Sequence, residues 1–252
     1  MLMEQTYDKL YAMKLNGMAE ALKLQLQQVD MTDLSFEERF SLLVDHQWTC
    51  KEDRKLKRLL RTARLKTDAC IEDIDFKTPR GLDKSVILRL AGGDWIKQRQ
   101  NIIITGPTGV GKTYLTCAFA NSACRQSQGT LYKRAPRFYH EILIARADGT
   151  YPKLMNKLLK TKVLIIDDFC IKPMSESERC DLLEVIEDRQ GTGSTIIATQ
   201  VPAENWHTHI GDPTIADAIL DRLIHNAYKI NLKGESMRKI RSRLTKTDNS
   251  EK

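Results

Sequence analysis

The chain has 252 residues, of which 29% are charged and 41% hydrophobic, with a formal net charge of +7. No apolar run approaches the roughly eighteen residues of a membrane span, and Met1-Leu-Met-Glu-Gln has no basic leader, so a membrane-spanning or secreted protein is not expected. The six cysteines, at positions 50, 70, 117, 124, 170 and 180, have no C-x-x-C spacing; this argues against zinc and for reduced thiols in a cytoplasmic protein.

Charge is unevenly placed. Residues 1–50 carry 4 Lys/Arg against 8 Asp/Glu, whereas residues 51–70 and 229–252 each carry 8 against 3. Residues 1–50 read as helical. Tyr7, Tyr11, Leu15, Met18, Leu22 and Leu26 recur every three or four positions and define one apolar face. Asp30-Met-Thr-Asp-Leu34 interrupts it. Ser35 with Glu38 has the form of a capping box, and Phe36, Phe40 and Leu43 begin a second apolar stripe, expected to be core.

A third helix is expected over 51–66. Leu56, Leu59, Leu60 and Ala63 should pack against the first two helices. The other faces carry Lys51, Arg54, Lys55, Lys57, Arg58, Arg61, Arg64 and Lys66, with only Glu52 and Asp53 to dilute them. Such a surface suits the phosphate backbone of nucleic acid. It suits a membrane surface less well, because no Trp or Phe accompanies the bases.

Residues 67–100 form a connector with a Pro79-Arg-Gly81 turn, a short helix at 83–91 and a break at Gly92-Gly93. From 101 onward apolar runs at 101–105, 130–133, 163–167, 195–199 and 228–232 alternate with helical stretches at about 112–126, 136–147, 175–190 and 214–225. That alternation implies an α/β fold with a five-stranded parallel sheet covered on both faces. Four segments result: a small all-α N-terminal domain (1–66), the connector (67–100), an α/β domain (101–245) ending in a short helical tail, and a disordered end (246–252).

Gly106-Pro-Thr-Gly-Val-Gly111-Lys112-Thr113 fits the phosphate-loop pattern G-x-x-x-x-G-K-[ST] between a strand and a helix. Gly106, Gly109 and Gly111 let backbone N–H groups turn toward an anion where a Cβ would obstruct, and the helix start adds its positive dipole end. Pro107, Thr108, Val110 and Tyr114 complete the expected cradle. Lys112 is expected to reach the β/γ-phosphates of ATP and Thr113 to ligate Mg²⁺. Val163-Leu-Ile-Ile-Asp167-Asp168 is an apolar strand ending in two carboxylates, as a Walker B segment does. Asp167 is assigned to Mg²⁺ through water and Asp168 to the attacking water. Thr195-Ile-Ile-Ala-Thr199-Gln200 is a further strand with a polar end that could bond the γ-phosphate.

Gly106–Thr113, Ile165-Ile-Asp-Asp-Phe169, Ala198-Thr-Gln-Val-Pro202 and Asp221-Arg222-Leu223 occur in an order that resembles the IstB/DnaC-like AAA+ ATPases. Gly17-Met-Ala-Glu-Ala-Leu22 and Arg80-Gly-Leu-Asp83 look like the IstB branch, the transposition helpers of bacterial insertion sequences. The resemblance implies an AAA+ P-loop core in which Thr199 matches sensor 1, Arg222 an arginine finger acting on a neighbouring subunit's ATP, and Arg238 a sensor 2 arginine. It further implies a homo-oligomer with ATP at its subunit interfaces, duplex DNA bound through backbone and shape, and a cognate transposase as partner. Cys170 stands where the family usually has Gly, and Asp168 where many AAA+ proteins have Glu. The shorter Asp side chain predicts slow basal ATP hydrolysis, since about 1 Å of misplacement can cost about 100-fold. A helicase loader with the same ATPase, a small-molecule P-loop kinase and a non-enzymatic DNA-bending scaffold are the alternatives.

Overall fold

The apolar runs become five strands, β1 (Asn101–Thr105), β2 (Thr130–Arg134), β3 (Val163–Asp167), β4 (Ser194–Thr199) and β5 (Ala227–Asn231). Our computed structural model describes residues 2–28 and 33–239. The strands form one parallel sheet in the order β2-β3-β4-β1-β5. Strand side chains alternate between faces, and both faces are apolar. Ile102, Ile104, Ile165 and Ile196 pack in one core with Leu115 and Phe119. Ile103, Leu164, Ile166 and Ile197 pack in the other with Phe138, Leu182 and Trp206.

The chain divides into two compact units, Met1–Arg58 and Leu59–Lys252. The first contains α1 (Leu2–Ala12), α2 (Asn16–Gln27) and most of α3 (Phe36–Ala63). The first expected helix is two. The Leu15 amide donates to the Leu10 carbonyl at 2.8 Å and the Lys14 amide to that of Tyr11 at 2.9 Å, closing α1. This closure places Lys14 at φ 62°, a conformation that usually takes Gly and so left no mark in the sequence. Gly17 then lies against α3, where an added Cβ would meet Cys50 Sγ at 3.0 Å.

Conversely, the second and third expected helices are one 28-residue helix, because the switch to basic residues at Lys51 changes charge and not backbone preference. Its capping box is formed, with Ser35 N–H to Glu38 at 2.8 Å and Glu38 N–H to Ser35 Oγ at 3.2 Å. The apolar face is not as expected: Leu10, Ala19, Ala21 and Leu43 are buried, whereas Tyr11, Leu26, Phe36 and Phe40 are exposed. Leu59, Leu60 and Ala63 belong to the second unit. The predicted disordered end lies outside the described residues, as does part of the interruption after Asp30.

The second unit continues with α4 (Lys84–Ala91), α5 (Asp94–Lys97), α6 (Lys112–Arg125), α7 (Ala135–Ala147), α8 (Tyr151–Lys160), α9 (Glu176–Arg189), α10 (Trp206–Ile210) and α11 (Pro213–Ile224). Neither α8 nor α10 is marked by the alternation of apolar runs and helical stretches. Arg189, at the end of α9, is 2% exposed. It donates to the carbonyls of Leu158 at 2.5 Å, Thr161 at 2.8 Å and Ser194 at 2.6 Å, tying the end of α8 to the start of β4. Burial pushes its pKa down to about 10. Replacing it strands three buried acceptors at about 1–3 kcal/mol each. Arg189→Met should therefore destabilise the chain by about 3 kcal/mol, read as a lower urea midpoint at unchanged denaturant slope.

Candidate functional site

Parallel pairing aligns the carboxyl ends of the strands, where functional groups of such sheets collect. Arg134 pairs in register with Asp167, Asp167 with Ala198, and Thr105 with Thr199. The phosphate loop follows β1 at this edge and opens onto a pocket of about 480 Å³, within the usual range for small-molecule sites.

The loop is held between two segments. Gly106 has φ +145°, and a Cβ there would meet the Leu232 carbonyl at 2.4 Å. Gly109 has φ +88° and lies against Ser236, while Met237 N–H donates to its carbonyl at 3.0 Å. Behind Gly111 sits the buried Arg80 guanidinium, which donates to the Val110 carbonyl at 3.1 Å and the Asp75 carbonyl at 2.8 Å. Arg238 joins the pocket wall beside Met237, as does Tyr114.

Lys112 donates to the carbonyls of Gly106 at 2.7 Å and Pro107 at 2.8 Å. Burial draws its pKa down, and the nearby Asp167 and Asp168 oppose that shift. One residue on, Thr113 Oγ1 donates to Asp167 Oδ2 at 2.8 Å. The same Asp167 oxygen accepts from the Tyr132 hydroxyl at 2.6 Å, and Oδ1 accepts the Asp168 amide at 3.0 Å. Tyr132 is held protonated by burial and by the Asp167 carboxylate. The hydroxyl and carboxylate oxygens of Thr113 and Asp167 are the hard donors Mg²⁺ prefers, with phosphate and water supplying the rest.

Asp168 lines the pocket and is ion-paired with Arg134 Nε. It takes φ 57°, which Asp tolerates, and Cys170 takes φ 55°, a conformation natural to Gly. The turn after β3 thus keeps its glycine-type path in spite of Cys170, at a cost of about 1–2 kcal/mol. The Cys170 thiol is buried, which pushes its pKa up to about 12.

The structure also places Thr199, Gln200 and Lys66. Thr199 is fully buried; its hydroxyl donates to the Phe169 carbonyl at 2.6 Å and accepts the Val201 amide at 3.0 Å, so it braces the ends of β3 and β4. Gln200, one residue later, is the group that lines the pocket, accepting from Thr108 Oγ1 at 2.6 Å. Lys66, counted among the solvent-facing bases, lines the pocket too. Arg134 and Tyr132 carry no motif, and Arg80 belongs to one, Arg80-Gly-Leu-Asp83, that gave it no role at the site; only strand register or tertiary packing places the three there.

Arg222 does not line this pocket. It donates to the Ala218 carbonyl at 2.8 Å and pairs with Glu187 at 2.7 Å. Its own carbonyl accepts from Asn101 at the amino end of β1, away from the phosphate loop. Of the predicted DNA-contacting residues, Lys51, Arg54, Lys57, Arg58, Arg61 and Arg64 are exposed, and Lys55 is partly covered and paired with Glu52 at 3.4 Å. Six of the seven lie on the single helix α3, Arg64 follows its end, and the unit boundary falls after Arg58.

Among the described residues, no helix is long and apolar enough to cross a membrane. In fold, the chain is similar to the crystal structure of the DnaC helicase loader, with a TM-score of 0.57 at 17% identity, covering 66% of this chain and 97% of that one. In sequence, it is 46% identical over 239 residues to a protein of Sinorhizobium fredii described as an insertion sequence ATP-binding protein, spanning 95% of this chain and 98% of the relative. A protein of Pseudomonas fluorescens, described as an ATP-binding protein of insertion sequence IS1162, is 44% identical over 81% of this chain and 88% of its own length. The profile of the IstB-like ATP binding proteins matches residues 8–245. With its phosphate loop and these relatives, the chain belongs to the IstB-like ATP-binding proteins of insertion sequences.

Proposed function

We propose that this protein is an ATPase that assembles on duplex DNA in an ATP-dependent way, prepares target DNA for transposition and stimulates the transposase of its insertion sequence. The observation that carries the ATPase reading is the cluster of Lys112, Thr113, Asp167 and Asp168 at one pocket. The insertion-sequence relatives support the transposase as partner.

Phosphate entering the loop replaces the Gly106 and Pro107 carbonyls as the acceptor for Lys112. Thr113 and Asp167 would hold Mg²⁺, which would neutralise part of the phosphate charge. Tyr132 fixes the Asp167 carboxylate for this role. Asp168 orients the attacking water, but only after its pair with Arg134 opens, so the Arg134 contact and the short Asp side chain both favour slow basal turnover. Gln200, rather than Thr199, is placed to bond the γ-phosphate or the water.

Arg222 lies away from its own chain's pocket, which suits delivery to the ATP of a neighbour. Head-to-tail contacts of this kind close into rings or extend as helices. A finger arginine contributes about 10³–10⁵ in rate, so hydrolysis should follow assembly. DNA contact through Lys51, Arg54, Lys55, Lys57, Arg58, Arg61 and Arg64 is electrostatic and largely indifferent to sequence.

In sedimentation with duplex DNA, ATP should produce a large assembly that ADP does not, and both Lys112→Ala and Arg222→Ala should abolish it. A chain that stays monomeric and ignores DNA would reject this reading and favour the kinase. Removing Arg134 releases an exposed pair worth about 1 kcal/mol. Arg134→Ala should therefore raise basal ATP hydrolysis about five-fold at unchanged ATP affinity; a fall in rate would place Arg134 in the catalytic set instead. Asp168→Asn should lower hydrolysis by about 100-fold or more while ATP-dependent assembly persists, and a variant that loses hydrolysis yet still supports transposition fully would point to a scaffold without useful turnover.

A further inference from the structure

The helix α8 carries a feature that the nucleotide site does not use. From Gly149 to Ile166 the chain has four lysines, at 153, 157, 160 and 162, and no acid. Leu154, Met155 and Leu158 are buried, while Lys153, Asn156, Lys157 and Lys160 are exposed. Those four line a groove of about 850 Å³ whose other wall includes Leu59 and Leu131. The groove lies at the amino ends of β2 and β3, beside Gly129, Thr130 and Thr161. The phosphate loop is at the opposite edge of the sheet, so bound ATP is not its ligand.

Lysines in the last turn of a helix are ordinarily explained by the helix dipole, and Lys157 and Lys160 fit that account. Lys153 does not. It stands in the first turn, where the positive end of the helix dipole disfavours a cation, and no acid stands there to offset it. Among the described residues none of the four lysines has a carboxylate within ion-pair distance, although Arg146 nearby pairs with both Asp181 and Glu184. The platform is also fixed from beneath, because Arg189 holds the Leu158 and Thr161 carbonyls. Arg189 makes its bonds to carbonyls and to Thr195 Oγ1, so its buried charge adds to the positive field of the groove.

We propose that this groove is a second contact surface for duplex DNA, in which Lys153, Lys157 and Lys160 each neutralise a backbone phosphate. The spacing i, i+4, i+7 sets the three on one helical face over roughly 10 Å of axis, a row suited to a repeating anion. No aromatic residue lines the groove, which favours the sugar-phosphate backbone over stacked bases. Lysine, a compact point charge without the fork of arginine, suits contacts indifferent to sequence. The inference rests on the DNA-binding reading above and adds to it a surface on the ATPase unit itself.

The test is the salt dependence of duplex binding by the full chain with ATP, followed by anisotropy of a labelled duplex. Each neutralised phosphate contributes about 0.9 to the slope of log K against log salt. The combined Lys153→Ala, Lys157→Ala, Lys160→Ala variant should have a slope about 2.7 shallower than the unaltered chain, while replacing all three by Arg should restore it. ATP binding, measured in the same variants, should not change. A steep slope left unaltered in the alanine variant overturns this proposal alone. An unaltered slope with self-association lost assigns the groove to an acidic surface of a second copy, and overturns it equally. An unaltered chain that does not bind duplex at low salt removes the DNA reading first, and this inference with it.

Discussion

The chemistry of this molecule depends on the alignment of parallel strands whose faces are both buried. Because helices cover the two faces, polar groups can emerge only at strand ends. Register then decides which of them meet. Arg134 at the end of β2 pairs with Asp167 at the end of β3, while β4 separates β3 from β1 and its phosphate loop. The gap is bridged because α6 packs over β1, β3 and β4, which brings Thr113 in its first turn to the Asp167 carboxylate. A slip of one residue in either strand would turn these side chains into the opposite core.

Three cations of the proposed reading are engaged by the chain itself, two at that edge and Arg222 away from it. Lys112 is satisfied by loop carbonyls, Arg134 by Asp168 and Arg222 by Glu187. Under the proposed reading each contact is exchanged in turn: Lys112 on phosphate entry, Arg134 when Asp168 takes up the water, and Arg222 when a neighbour presents its nucleotide. Such a protein holds ATP before it hydrolyses ATP, which suits assembly followed by release. Arg80 belongs to the same economy of backbone support, since its guanidinium carries the phosphate loop from behind and occupies space that a Cβ on Gly111 would need.

The all-α unit obeys other constraints. Its small buried residues, with Gly17 in close approach to Cys50, let α2 lie against α3. Its large apolar residues go largely to the surface: Phe36 and Phe40 stack at 5.9 Å between ring centres yet remain exposed, as does Trp48. Periodicity therefore located helices here without locating their buried face. A stripe of large apolar residues marks a face that will be covered, but not whether the chain's own core covers it.

Much of the second unit was legible in the sequence because its signals are local. Continuous apolar runs marked all five strands, and the spacing of Gly106, Gly111, Lys112 and Thr113 is a property of consecutive backbone atoms. Asp167 and Asp168 were legible for the same reason, as residues ending a buried strand. Other features depend on atoms distant in the chain. The bend at Lys14 rests on hydrogen bonds that a glycine would ordinarily announce, and α8 has a short, lysine-rich sequence that also reads as a connection. Thr199 and Gln200 are adjacent and both polar, and only the packing of β3 beside β4 turned one inward as a brace and left the other at the pocket. Likewise Arg134, Tyr132 and Arg80 gained their places from register and from the segments that hold the loop. By itself the sequence determined the five strands, the phosphate loop and most of the helices around them, because dihedral preference and side-chain period act over a few residues; the tertiary structure decided which polar groups confront one another, because that depends on strand order and register.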